Sequence, residues 1–448
     1  MHEPYEPHHP TASEDLSNLS TIALAALSAL AATGLLAQMG PQPALEADFA
    51  TINPVPVVEI EIVDPAAGAD RLYGNVTLTD GTELTGYMRW NGREASWADL
   101  LPATHRGSRA LAGVRFGHID MLQPIDSRSM RLTLKSGEVV DMTAILSDRA
   151  STPRPMTVTV LDAPVVSPDG QWIAYEESSA SVTWNEIATV EFLHEPVHMA
   201  PPAERIHGTL VTRTGLEFTG YIAWNLDEVA LDQTLFGRSA DGIIAVTYGD
   251  IASIQRVHRT KDQGVLVLLH SGEEFVLQGS SDVNDWNRGV TVADPTLGSV
   301  TVPWDRFSEL RLHAPEEISS YDRFTGGELI VGTVTTASGE ALTGSIRWDL
   351  DESMTWEMLD GQFEGIQFHV EFSQIAWIKK VWNGATVMLL DGRSFYLTAS
   401  NDLNWYNKGI VVDSGRDQRA ITWREFDEFR LARGVAQVAR VSGSGQEG

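Results

Sequence analysis

Residues 76–90 read "VTLTDGTELTGYMRW". Apolar and polar residues alternate into Asp80-Gly81 and alternate out again, which predicts a strand, a tight turn and a second strand. Glycine suits the turn because it takes a positive φ without steric cost. The opening nine residues return in altered form five times: "LTLKSGEVV" from Leu132, "LVTRTGLEF" from Leu210, "LVLLHSGEEF" from Leu266, "VTTASGEAL" from Val334 and "VMLLDGRSF" from Val387. The turn glycines are Gly81, Gly137, Gly215, Gly272, Gly339 and Gly392. They fall in pairs 56, 57 and 53 residues apart, and successive pairs start 134 and 124 residues apart. The chain therefore holds three repeats, each of two half-units.

The first half-units continue alike, as "TGYMRWN", "TGYIAWN" and "TGSIRWD", with a second glycine (Gly86, Gly220, Gly344) and a tryptophan (Trp90, Trp224, Trp348). They close with "FGHIDML", "YGDIASI" and "FSQIAWI", and the second half-units close with "WNEIATV", "WDRFSEL" and "WREFDEF". An aromatic residue followed by apolar residues three apart predicts a terminal strand or turn anchored in a core. The expected class is all-β: three tandem repeats, each of two small SH3/Sm-like β-barrel half-units, after an N-terminal apolar helix. A lone half-unit is near the lower size limit for a stable domain, so the copies are expected to share buried surface. The expected boundaries are a disordered acidic, His-containing tail at 1–20, a signal or anchor helix at 21–38 and a linker at 39–56. Repeat one follows at 57–195, a linker at 196–204, repeat two at 205–313, a linker at 314–327, repeat three at 328–432 and a disordered tail at 433–448. Repeat one opens on "VVEIEIVD" from Val57, whose alternation suits an edge strand.

The spacing of Val76, Leu78, Gly81, Gly86 and Met88, with Asn91 one residue short of the pattern, resembles the first motif of the Sm-like small β-barrels, relatives of the SH3-like barrels. It covers about twenty residues per half-unit. The second half-units lack the second glycine at that spacing, and no second Sm motif is visible. The resemblance implies a small-barrel fold and a tendency to ring-like assembly. Carrying over RNA binding is not justified, because the basic loop residues are missing.

Charge agrees. The 448 residues contain 61 acidic and 32 basic side chains, a net charge of −29. That field repels phosphate backbones and argues against a nucleic-acid partner. The basic residues are nearly all arginine, lysine occurring only at 135, 261, 379, 380 and 408. Cysteine is absent, which excludes disulfides, thiolate catalysis and Cys-ligated metals. No residue from 16 to 45 is charged, and "TIALAALSALAATGLLA" from Thr21 has the length of a signal segment or short membrane span. Ala29-Leu30-Ala31 offers a small-x-small cleavage pattern. Yet the preceding residues carry Glu3, Glu6, Glu14 and Asp15 and no Lys or Arg, whereas signal n-regions are basic. An anchor, a misplaced start and a self-associating Ala-rich helix all stay open.

Few constellations promise chemistry. "HEPVH" from His194 matches a zinc-protease motif literally, but Pro196 breaks the helix that motif needs. "LHEP" also recurs as "LHAP" from Leu312, which makes it an inter-repeat linker. The most unusual stretches are "SSDVNDWNRG" from Ser280 and "SNDLNWYNKG" from Ser400, with repeat one diverged to "LSDRASTPRP". Such Asx-rich loops cap their own backbone. They also offer a binding surface: Asp282, Asn284, Trp286, Asn287 and Arg288, with Asp402, Asn404, Trp405, Asn407 and Lys408, place hydroxyl-bonding groups beside stacking rings, or oxygens for calcium. The "LDE" carboxylates Asp227, Glu228, Asp351 and Glu352 have the chemistry of an acid–base pair, and solvated loop ends are the plainer reading. His2, His8 and His9 beside Glu3 and Glu6 offer a loose metal site or a tail. No phosphate loop, dinucleotide fingerprint or nucleophile elbow is present.

The sequence is read as a non-catalytic binding or scaffold component of the cell envelope: extracytoplasmic, periplasmic or membrane-anchored. It is expected to partner a protein or glycan, to touch the membrane through residues 21–38 if they are uncleaved, and to need no metal or cofactor. Homo-oligomerisation is open. The alternative is a carbohydrate-binding or glycan-acting protein using the Asn-rich loops, and a second alternative is an Sm-like RNA binder, against which the charge stands.

Overall fold

The structure is a computed structural model that describes residues 70–105, 113–146, 152–161, 165–166, 173–174, 177–195, 204–240, 242–258 and 263–432. The chain divides into Met1–Glu59 and Ile60–Gly448, and every described residue lies in the second unit. The expected segments at 1–20, 21–38, 39–56 and 433–448, and the "VVEIEIVD" strand, lie outside the described residues.

The described protein is all-β. Its helical segments are 3-10 turns of three residues, such as Phe116–His118, Tyr248–Asp250 and Phe372–Gln374. Each of these three begins with the predicted aromatic anchor, and Phe116, Tyr248 and Phe372 are fully buried. The hairpin that opens the repeat forms as read: Tyr73–Leu78 pairs antiparallel with Glu83–Arg89, Val76 opposite Leu84. Gly81 sits at φ +88° and donates its N–H to the Leu78 carbonyl at 3.0 Å. The other five turn glycines have φ between +84° and +94°.

The second glycine has a different cause. A Cβ on Gly86, Gly220 or Gly344 would lie 2.1–2.2 Å from the carbonyl oxygen of Thr159, Ala293 or Asp413. Each faces a glycine across the hairpin (Gly74, Gly208, Gly332), where the next strand over presses equally close. The glycine pair therefore lets flanking strands on both sides approach the hairpin's backbone.

Residues 205–313, read from the sequence as repeat two, show the strand order. Ile251–His258 pairs with Gln263–Leu269, which pairs with Glu274–Gln278. On its other side Ile251–His258 meets Phe307–Leu312, then His207–Thr212, Glu217–Ala223, Val290–Asp294 and Gly298–Val302. The last strand of the second half-unit thus lies against the first strand of the first, and the halves interleave. Repeat three follows the same order in an eight-stranded sheet, and repeat one in a nine-stranded sheet. None of the sheets closes on itself.

Gly298–Val302 crosses the repeat boundary. It pairs with Ile366–Glu371 of repeat three, Val300 opposite Phe368, so that a twelve-stranded sheet spans both repeats. The core follows. One apolar cluster runs from Ile206 to Phe429 through repeats two and three, and a second fills repeat one and borrows Tyr321, Phe324 and Trp356. Among the described residues the apolar side chains thus gather into two shared cores. Residues 314–327, expected as a linker, send Tyr321 and Phe324 into the second core. The Tyr321 hydroxyl donates to the Ile119 carbonyl at 2.8 Å, and its ring lies 4.4 Å from that of Trp97. A buried tryptophan such as Trp224 or Trp348 withdraws roughly 200 Å² from water, worth about 5 kcal/mol before entropy.

Candidate functional site

The site begins with a turn made three times. After each hairpin the tryptophan N–H donates to the carbonyl of a glutamate four residues on, and the glutamate N–H returns to the tryptophan carbonyl: Trp90–Glu94, Trp224–Glu228 and Trp348–Glu352, all at 2.7–3.0 Å. The residue after the tryptophan takes a positive φ (Asn91 +53°, Asn225 +50°, Asp349 +44°), which Asn and Asp tolerate best after glycine. The turn folds the glutamate inward. The sequence suggested solvated loop ends for the "LDE" carboxylates, and for Glu228 and Glu352 that is corrected here. Glu94, Glu228 and Glu352 each keep a buried Oε2 with no hydrogen-bond partner among the described residues.

The Asx-rich loops dock on this turn. In repeat two the Trp224 indole N–H donates to the Asp282 carbonyl at 3.0 Å, and the Asn287 amide donates to the same oxygen at 2.8 Å. The Asp282 carboxylate accepts the Phe236 N–H at 3.1 Å and the Asn225 amide at 3.4 Å. Asn284 Oδ1 accepts the Trp286 N–H, and Asn287 Oδ1 accepts the Gly289 N–H, both at 2.8 Å. Arg288 gives its N–H to Asn225 at 3.0 Å and its guanidinium to Asp227.

Repeat three reproduces this arrangement. Trp348 and Asn407 donate to the Asp402 carbonyl at 3.0 Å, Asp402 accepts the Asp360 N–H at 2.7 Å, and Asn404 accepts the Tyr406 N–H at 2.8 Å. Lys408 gives its backbone N–H to Asp349 and its ammonium to Asp351 at 2.7 Å. The predicted residues therefore do come together within each loop, but the two loops belong to separate repeats. Most of their Asp and Asn oxygens are spent on N–H donors of the loop, its turn and the strand beside it. Among what reaches solvent, beside Asp285, are the basic side chain and an aromatic ring: Trp286 is 80% and Tyr406 82% exposed, at the same loop position, with Trp405 beside Tyr406.

The carboxylates are electrostatically strained. Burial, aided by Asp282, raises Glu228 to about 7. Burial also raises Glu94 to about 7, although Arg93 pulls it down. In repeat three burial and the crowd of Asp402, Asp351 and Glu357 push Glu352 far above the carboxylate range, and burial with Asp360 does the same to Asp402. Among the described residues no three His, Asp or Glu side chains converge to hold a metal ion.

Two features escaped the sequence. Repeat one retains the docking bond: the Arg154 N–H donates to Asn91 Oδ1 at 2.8 Å, as Arg288 does to Asn225. The surviving signal in "STPRPM" is a basic residue two places before the next strand. The second feature is a cavity of about 370 Å³ bounded by all three repeats, with Arg93, Glu94, Asp99, Arg205, Tyr221 and His369 in its wall. Arg205 spans it to Asp99 at 2.8 Å. No single repeat encodes it, so no local motif announces it.

Of "HEPVH", His194 lies 3.4 Å from Asp322 and packs on the Tyr321 ring, and Glu195 is raised by burial. Residues 196–198 lie outside the described residues. No protein-family profile, no curated protein and no solved structure matches the chain.

Proposed function

We propose that this protein is a non-catalytic binding or scaffold component of the cell envelope, exported or membrane-anchored through residues 21–38. One observation carries the reading: the loops spend their polar atoms on their own architecture and leave an aromatic ring outside, at matched positions of two repeats. Groups held this way present a surface of side chains rather than a cluster of converging polar atoms. The body is proposed as three tandem repeats (57–195, 205–313, 328–432) of paired SH3/Sm-like barrels, a reading supported by the common hairpin register and the common Trp–Glu turn. Cell fractionation with the intact mass of the native chain tests the location. A chain trimmed near Ala31, or a full-length chain in membranes, is expected; a full-length soluble cytoplasmic chain overturns it.

A second reading is favoured by the same rings. Trp286, and Trp405 with Tyr406, suit stacking on sugar rings, which makes a glycan the alternative partner. Affinity electrophoresis against polysaccharides is expected to show retardation that Trp286→Ala and Tyr406→Ala abolish. Asn284→Ala and Asn404→Ala report on loop shape. Absence of retardation by every polymer tested sinks this reading. An Sm-like RNA-binding role has the −29 charge against it.

A further inference from the structure

The twelve-stranded sheet ends on Gly242–Thr247, the outer strand of a hairpin with Thr234–Ser239. Repeat three contains the same hairpin, Met358–Phe363 with Ile366–Glu371, and there the outer strand is covered by Gly298–Val302. Among the described residues no strand pairs with the outer side of Gly242–Thr247, and the two seats differ accordingly. Phe368 is fully buried, while Ile244 in its place is half-buried and its neighbour Ile243 is 80% exposed. Phe236 on the companion strand is 49% exposed. A groove of about 390 Å³ runs beside the open strand, between Ile244, Val246, Leu269 and Phe275, with Glu273 and Glu274 at its rim.

The sequence of this edge is "GIIAVT", with no charge and no proline. Natural sheets rarely leave such an edge bare, because unpaired N–H and C=O groups recruit another strand. Two of the other outer strands among the described residues differ from it. Glu177–Val182 reads "ESSASV". Gln418–Ile421 carries Arg419 at the position where Gly298–Val302 has the core residue Val300, and pairs it with Glu340.

We propose that Gly242–Thr247 is a dimerisation strand that pairs antiparallel with the same strand of a second copy of this chain. The inference goes beyond the envelope reading and does not depend on it. Self-pairing satisfies both edges at once, since an antiparallel pair about a two-fold axis is self-complementary. The strand brings no like charges face to face. The internal joint between repeats two and three is the template: it too is antiparallel, and it too covers this hairpin's outer strand. The serine-rich and arginine-bearing edges lack the apolar side chains to fill the groove. Glu273 and Glu274 of both copies gather near the contact, so association tightens as salt screens them.

The chain has no cysteine, so each of Ile243→Cys, Ala245→Cys and Thr247→Cys carries a single thiol on one face of the strand. In the full-length protein, mild oxidation is expected to cross-link at least one of the three into a dimer, while Ser281→Cys on the exposed loop stays monomeric. Sedimentation velocity is expected to show a concentration-dependent dimer. Ile243→Lys should weaken it on the order of tenfold or more, a loss of 1.4 kcal/mol or more. Ile243 is exposed, so this variant is expected to keep the wild-type circular dichroism. A monomer at all concentrations overturns the proposal. So does a dimer that survives Ile243→Lys and resists cross-linking at all three positions, which would place association elsewhere, for instance in residues 21–38.

Discussion

Repeats two and three fold the same loop onto the same tryptophan and end with different electrostatics. In both, an indole N–H holds the carbonyl of the loop aspartate at 3.0 Å. In repeat two the turn offers neutral Asn225, and Arg256 answers Asp285 at 3.0 Å. In repeat three the same positions are Asp349 and Trp405, so carboxylates crowd around Asp402 with Lys408 as the cation among them. The difference teaches that loop shape follows from the Trp–carbonyl bond and the Asx side chains, while charge was free to diverge on top of it.

The comparison breaks first at its common anchor. Trp224→Ala and Trp348→Ala each remove a fully buried ring and are expected to cost about 3–5 kcal/mol in denaturant unfolding. Trp348 packs on Phe372, Phe426, Phe429 and Trp423, so its loss should be the larger. A cost under 1 kcal/mol at both sites would mean that something else shapes the loops.

Next come the glycines. Gly220→Ala and Gly344→Ala drive a methyl group into a backbone carbonyl of the neighbouring strand, for roughly 2–3 kcal/mol each. Equal losses in a melting experiment would confirm that the two hairpins share one packing constraint.

The third test separates the repeats. Glu228 has its folded pKa raised to about 7 from 4.5, so its contribution favours folding below pH 4.5 and is lost as pH rises to 7. Glu228→Gln is expected to remove that decline, raising stability at pH 8 by about 2 kcal/mol after allowance for partial exposure. Glu352 is raised further, so the decline it causes extends through neutrality and beyond. Melting curves from pH 4 to 9 should therefore show Glu352→Gln gaining more than Glu228→Gln at the alkaline end. Equal gains would refute the electrostatic contrast. The smallest effect is on the surface: Arg288→Ala and Lys408→Ala each break exposed ion pairs and should cost under about 1 kcal/mol.

The sequence carried the hairpins and the buried tryptophans because both depend on near neighbours. An alternation of two and a glycine at positive φ act within ten residues, and they are visible at Gly81 as clearly as at Gly392. The fate of Glu228 was not legible, since "LDE" reads as solvated until the Trp224–Glu228 turn folds it under. Nor was the joint between Gly298–Val302 and Ile366–Glu371, which depends on partners nearly seventy residues apart. The loops at 280–289 and 400–409 were found as motifs. Their side chains turned inward because Asx groups bond nearby backbone more readily than anything distant.

The boundary-crossing strand also sets a timetable for synthesis. Gly298–Val302 leaves the ribosome before Ile366–Glu371 exists. At the usual 5–20 residues per second, the strand waits roughly 4–14 s without its partner. For that interval Val300 is an apolar edge in a crowded cell, and repeat two cannot complete its core alone. Any truncation that stops translation before Glu371 leaves that edge permanently open, so repeat two is better regarded as half of a folding unit than as a removable module.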